Sequence, residues 1–172
     1  LAQYIDWGPF FQTWDLAGAY PAILKDEVVG DAATKLFAEG QAMLKKLIEN
    51  RWLTANGVVS LLPANSVNDD DIEIYTDETR TALAFTYYGF RQQTVKPVID
   101  GVPRPNQCLA DFIAPKMMDG KPSGVADYIG MFAVTGGLGI EKHEKRFQQA
   151  HDDYSIIMLK SLADRLAEAF AE

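Results

Sequence analysis

The chain has 172 residues, 48% hydrophobic and 23% charged, enough to enclose a continuous core in a single domain and too apolar for a disordered segment. Its net charge of -8 repels phosphate backbones and anionic lipid, which argues against nucleic acid and membrane as partners. No apolar run reaches the ~18 residues of a spanning helix, and no basic segment leads an apolar stretch at the N-terminus, so a cytoplasmic protein is expected.

In chain order, the first long element is an amphipathic helix from about Asp31 to Asn50, with Asp31 as its N-cap and Ala33, Leu36, Phe37, Leu44, Leu47 and Ile48 as its buried stripe. Asn56-Gly57 marks a turn, after which Val58 to Leu62 reads as a buried strand ended by Pro63. Ile72 to Tyr75 alternates, with Ile72 and Ile74 on one face and Glu73 and Tyr75 on the other. Ala82 to Arg91 fits both a strand, through Leu83, Phe85, Tyr87 and Tyr88, and a helix start at Gly89 to Gln93; strand first and a short helical turn after it is the preferred order. Val95 to Asn106 holds Pro97, Gly101, Pro103 and Pro105 and is expected as a loop outside any ladder, as is Met117 to Gly124. Cys108 to Ile113 and Tyr128 to Val134 are strand candidates. A final helix runs from about Glu141 to the end, with Phe147, Ala150, Tyr154, Ile157, Leu162, Leu166 and Phe170 as its core stripe. Successive strands between terminal helices, without βαβ alternation, predict an α+β fold on a twisted, mainly antiparallel sheet.

Side-chain chemistry is sparse. His143 and His151 stand eight apart with no Cys-x-x-Cys or His-Glu-x-x-His companion, so no metal site is expected, and both read as solvated helix histidines. Thr135-Gly-Gly-Leu-Gly139 lacks the spacing of a phosphate-binding loop and reads as a flexible turn. Asp69-Asp70-Asp71 lacks the alternating ligands of a calcium loop and reads as solvated. Cys108, the only cysteine, cannot form an internal disulfide and reads as a small buried hydrophobe rather than a nucleophile. A start at Leu1 and an end inside a helical pattern suggest a piece of a longer polypeptide.

Several uncommon blocks occur in one order: Tyr4-Ile-Asp-Trp7, Pro9-Phe-Phe11, Asp26-Glu-Val-Val-Gly30, Pro63-Ala-Asn65, Asp70-Asp-Ile-Glu-Ile-Tyr75, Asp77-Glu-Thr-Arg80, Arg91-Gln-Gln93, Cys108-Leu-Ala-Asp-Phe112, Asp127-Tyr-Ile-Gly130 and the helix after His151-Asp-Asp-Tyr154. Through them the chain resembles the reactivation domain of cobalamin-dependent methionine synthases. The resemblance spans 1–172 as a single domain but covers only the first half of a C-shaped family domain, whose later Arg-Pro-Ala-Pro-Gly-Tyr segment is absent here.

The resemblance implies a fragment of a methyltransferase that acts on homocysteine and is inactive alone. Its role would be to bind S-adenosylmethionine for reductive methylation of cob(II)alamin, with cobalamin held on another domain and the parent's zinc outside this chain. It implies two partners, the cobalamin-binding domain of the same polypeptide and a flavodoxin-type or flavoprotein electron donor. Asp6 and Glu168 carry over as S-adenosylmethionine contacts, because a carboxylate accepts charge-assisted hydrogen bonds from an ammonium group or from ribose hydroxyls. Asp6 also reads as a helix-start cap, since Pro9 follows closely. Asp164 carries over as the acid that receives the histidine released from cobalt. Lys160, Asp164 and Glu168 share one helix face, which is either solvated with internal ion pairs or docked on a partner. The family acid after the Gly-Gly-Leu turn falls on Ile140, with Glu141 one residue on. The alternative reading is a non-catalytic docking module that engages a cobalamin domain or redox protein without holding a small ligand.

Overall fold

A computed structural model describes residues 1–99 and 101–172. Its elements are α1 (Gly8–Gln12), α2 (Gly30–Glu49), β1 (Thr54–Val67), β2 (Asp71–Tyr75), β3 (Leu83–Tyr88), β4 (Val98–Ile99), β5 (Val102–Pro103), β6 (Met117–Met118), β7 (Lys121–Pro122), β8 (Asp127–Leu138), α3 (Ile140–Gln149) and α4 (Asp153–Ala171). One four-stranded sheet has the order β3-β2-β1-β8, with β1 and β3 both antiparallel to β2. The fold class is therefore α+β, as the alternation predicts. Two compact units divide the chain, Leu1–Val58 with Phe132–Glu172, and Val59–Met131, and the boundaries fall inside β1 and β8.

The first unit is built on helices. α2 buries Ala33, Leu36, Met43, Leu44 and Leu47 at helical spacing, and these meet Met158, Leu159 and Leu162 of α4 and the N-terminal Ile5, Trp7, Phe10 and Phe11. Each of the leucine, isoleucine, methionine and phenylalanine side chains so removed from water contributes about 1.5–3 kcal/mol. Trp7 stands edge-on to Phe10 and Phe37 at 5.1 and 4.9 Å between ring centres. The N-cap of α2 is Val29 rather than Asp31, because the Asp26 carboxylate already accepts the Val28 and Val29 amides at 2.8 and 2.9 Å; Asp31 lies in the first turn.

The C-terminal helix is two helices, not one. His151 takes a left-handed φ of +54°, its amide reaches Gln148 O at 3.0 Å, and the Asp152 amide reaches Phe147 O at 2.9 Å, a Schellman closure of α3. Asp152 then caps α4, its carboxylate accepting the Ser155 amide at 3.0 Å. The break resets the helical phase, so Ala150, Tyr154 and Ile157 are exposed, while Met158, Leu159, Leu162, Ala163 and Ala169 are buried. His151 is therefore a turn residue. His143 is half-buried rather than solvated: it lies flat on Trp52 at 4.3 Å, and burial, then Arg146 and Lys142, hold its pKa below the ordinary value. The Tyr154 hydroxyl donates to the Glu39 carboxylate of α2, and burial followed by that contact pushes the phenol up to about 12.

The glycine-rich segment is strand, not a flexible turn. β8 runs through Gly136, where a Cβ would stand 2.4 Å from the Ala167 nitrogen, so the missing side chain sets the distance between strand and helix. Gly139 takes a φ of +96° at the N-cap of α3, a conformation that L side chains rarely adopt.

The second unit encloses Ala64, Ile72, Ile74, Cys108 and Ala110, with Leu62, Tyr87, Ile113, Ile129 and Met131 packed around them. Cys108 is buried, as its apolar neighbourhood predicts. Four expectations are corrected here. β1 runs through both Asn56-Gly57 and Pro63 to Val67, with Val58, Val59 and Leu61 exposed; Pro63 stands just before Ala64, the first residue paired with β2. Cys108 to Ile113 is a 3-10 turn over Leu109–Phe112, because Asp111 accepts the Cys108 amide at 2.9 Å, a capping box that overrides the apolar pattern. The strand Leu83–Tyr88 forms, but Gly89 to Gln93 has no helical turn. The two expected loops each hold a two-residue hairpin, β4 with β5 and β6 with β7, in which Pro103 and Pro122 pair at the ends of short ladders where a missing amide is tolerated. Asp100, within the first loop, lies outside the described residues.

The aspartate run is only partly solvated: the Asp69 side chain is exposed, while Asp70 is anchored. Arg91 binds Asp70 at 2.8 Å, Asp69 O at 2.9 Å, Asn106 O at 2.8 Å and both oxygens of Asp111 at 2.8 Å, while Asp71 opens β2.

Candidate functional site

The sequence places its three candidate acids, Asp6, Asp164 and Glu168, in the helical unit. Asp6 joins the 3-10 turn Ala2–Tyr4 to α1. Ile5 and Trp7 on either side are buried, which leaves the Asp6 side chain exposed between two core anchors. Its Oδ1 accepts the Gly8 amide at 2.9 Å, a two-residue turn just before α1; the N-cap of that helix is Trp7, without a side-chain cap, so Asp6 is not the expected helix-start cap. A carboxylate so held retains acceptor capacity on its other oxygen. The flanking turn and α1 both pack on α4, the helix that bears the other two acids.

On α4, Asp164 and Glu168 are exposed and lie on either side of Arg165, a residue only 6% exposed. Arg165 Nη1 donates to Glu168 Oε2 at 2.5 Å, and Nη2 donates both to Glu168 Oε1 at 2.8 Å and to Asp164 Oδ2 at 2.5 Å. The contact with Glu168 is bidentate, the geometry for which a planar guanidinium is suited. Burial works against the charge on Arg165, and the two carboxylates outweigh it, so its pKa lies above the ordinary value. One cation against two anions leaves a net charge of about -1 on this face, fit to attract one further cation.

The expected Lys160-Asp164-Glu168 stripe does not form one ion-pair ladder. Lys160 turns to Glu144 of α3 at 2.7 Å, and the two acids share Arg165 instead. Sequence reasoning passed over Arg165, although its position three residues before Glu168 is an i,i+3 pairing signal. Asp164 and Glu168 are thus brought together through one guanidinium, and Asp6 is held separately by its own backbone turn. Glu141 lies exposed in the first turn of α3.

A family model described as vitamin B12 dependent methionine synthase, activation domain, matches residues 1–172. Among solved structures, a MetH reactivation domain bound to AdoHcy superposes with a TM-score of 0.85 at 56% sequence identity, covering 99% of this chain and 49% of that one. The chain spans about half the length of that solved domain.

Proposed function

Since this chain belongs to the activation-domain family of vitamin B12-dependent methionine synthases, we propose that it is the first half of a reactivation module that binds S-adenosylmethionine. The observation that supports this most directly is the AdoHcy-bound relative at 56% identity over nearly the whole chain. AdoHcy differs from S-adenosylmethionine only by the methyl group and the sulfonium charge, so the two share an α-ammonium group, an α-carboxylate and a ribose.

The residues present fit the cationic end of such a ligand. In this reading Glu168 and Asp6 accept hydrogen bonds from the ammonium group or the ribose hydroxyls, and Asp164 faces the partner domain. When bound, S-adenosylmethionine supplies the methyl group that restores methylcobalamin, and cobalamin, held on another domain, is the one-electron-reduced acceptor. This chain's part is to hold the ligand and offer a docking face, which lowers the entropic cost of bringing the reacting groups together. The parent is a homocysteine methyltransferase with its zinc site elsewhere, working in the cytoplasm with a flavodoxin-type donor. Among the described residues no helix is long and apolar enough to cross a membrane.

The exposed acids on α4 also fit the rival reading, a docking module without a small ligand. Replacing Asp164 with Asn in the complete, cobalamin-carrying enzyme should weaken the docked state recorded in the cobalamin absorption spectrum under both readings. AdoHcy titrated calorimetrically into the complete domain separates them: heat of binding supports the ligand-holding module and its absence supports the rival. An unchanged spectrum would remove Asp164 from the docking face.

A further inference from the structure

We infer that Arg165 is the positioning residue of this site, the group that holds Glu168 and Asp164 as one electrostatic unit. The inference rests on the ligand-holding reading and deepens it.

Three observations converge. Arg165 is nearly buried while both of its partners are largely exposed, so the cation is fixed by packing and the acids are fixed by the cation. The bidentate grip on Glu168 sets the plane of that carboxylate as well as its position, which a single bond cannot do. Nη2 is shared, one proton directed to each acid, so the two carboxylates lie side by side although four residues separate them in sequence. Without Arg165, two adjacent anions on long, exposed side chains would repel each other and take up separate rotamers. Ordering Glu168 against that freedom would fall to the ligand.

Arg165 therefore acts through the acids and touches neither ligand nor partner. The sharing also links the two roles: an ammonium group drawn to Glu168 and a cationic side chain drawn to Asp164 meet the same residual charge. What alters one acid's grip on Nη2 alters the other's, as reciprocity between coupled sites requires.

The test is a double-mutant cycle in the complete domain, with AdoHcy affinity read by calorimetry and thermal unfolding recorded alongside. Glu168→Gln and Arg165→Gln should each weaken AdoHcy by about tenfold, the scale of one lost charge-assisted contact. The double variant should be no worse than Glu168→Gln alone, because Arg165 works through Glu168. Arg165→Lys keeps the charge and loses the fork, so it should recover part of the affinity and also serves if the glutamine variant folds poorly. Additive losses, or an Arg165→Gln variant that binds AdoHcy as the parent does while Glu168→Gln does not, would overturn the positioning role and leave the ligand site intact. An undiminished affinity in Glu168→Gln would instead overturn the assignment of Glu168 itself.

Discussion

A single carboxylate serves two purposes at Asp6. Its Oδ1 closes a turn onto Gly8, and its side chain stays exposed because Ile5 and Trp7 are drawn inward around it. Asp6→Asn keeps an oxygen for the turn but loses the charge, so it should leave thermal stability almost unchanged while lowering AdoHcy affinity in the complete domain. Asp6→Ala should lower both, the stability by about 0.5–1.5 kcal/mol for one lost hydrogen bond. Calorimetric titration set against thermal melting separates the two effects. Equal ligand affinity in the parent and both variants would reduce Asp6 to a turn residue.

Elements here are fixed by close approaches and by buried or half-buried polar ties rather than by propensity. β8 can reach α4 only because position 136 has no side chain, since a Cβ there would stand 2.4 Å from the Ala167 nitrogen. Gly136→Ala is expected to destabilise by about 1–3 kcal/mol through overpacking, seen as a lower urea midpoint, and an unchanged midpoint would show that the strand yields freely. In the sheet unit, Arg91, and secondly the Cys108 amide, hold the Asp111 carboxyl down to about 2 against an ordinary 3.8. A depressed acid stabilises the folded state fully above its unfolded value, and that contribution fades as pH falls through the folded one. Urea midpoints should therefore drop between pH 3.8 and about 2, and Asp111→Asn should flatten that part of the profile. A parallel profile in the variant would count against the Arg91–Asp111 tie as a source of acid lability.

At the scale of the whole molecule, the chain spans about half of the solved domain that it matches, and its candidate acids all lie in one unit. Exposed hydrogen bonds contribute roughly 1 kcal/mol each, too little to offset the cost of immobilising a flexible ligand. The 172-residue chain alone is thus expected to bind AdoHcy weakly or not at all, and the complete domain to bind it firmly. Tight calorimetric binding by the short chain would place the whole site within it and overturn the expectation that 172 residues are too few to hold the ligand.

The order of blocks and the alternation of apolar residues were enough to determine the family resemblance, the α+β class, the α2 stripe except for Ile48, which is exposed in the last turn, the strand at Ile72 to Tyr75, the strand at Leu83 and the burial of Cys108. Each is a local property, since a periodicity of two or of 3.6 residues is written into the chain. The tertiary structure alone decided where patterns stop and which charges meet. The apolar spacing continues across His151, but a left-handed residue and the Asp152 cap break the helix there; Cys108 to Ile113 is apolar like a buried strand, but Asp111 draws it into a turn. Lys160 stands four residues before Asp164 and still turns to Glu144, while Arg165, unremarked in the sequence, gathers both acids. The Lys160–Glu144 pair joins two helices and exists only once they have packed, whereas the Arg165 pairs lie within α4, where packing decides that the guanidinium is buried and so held between both acids.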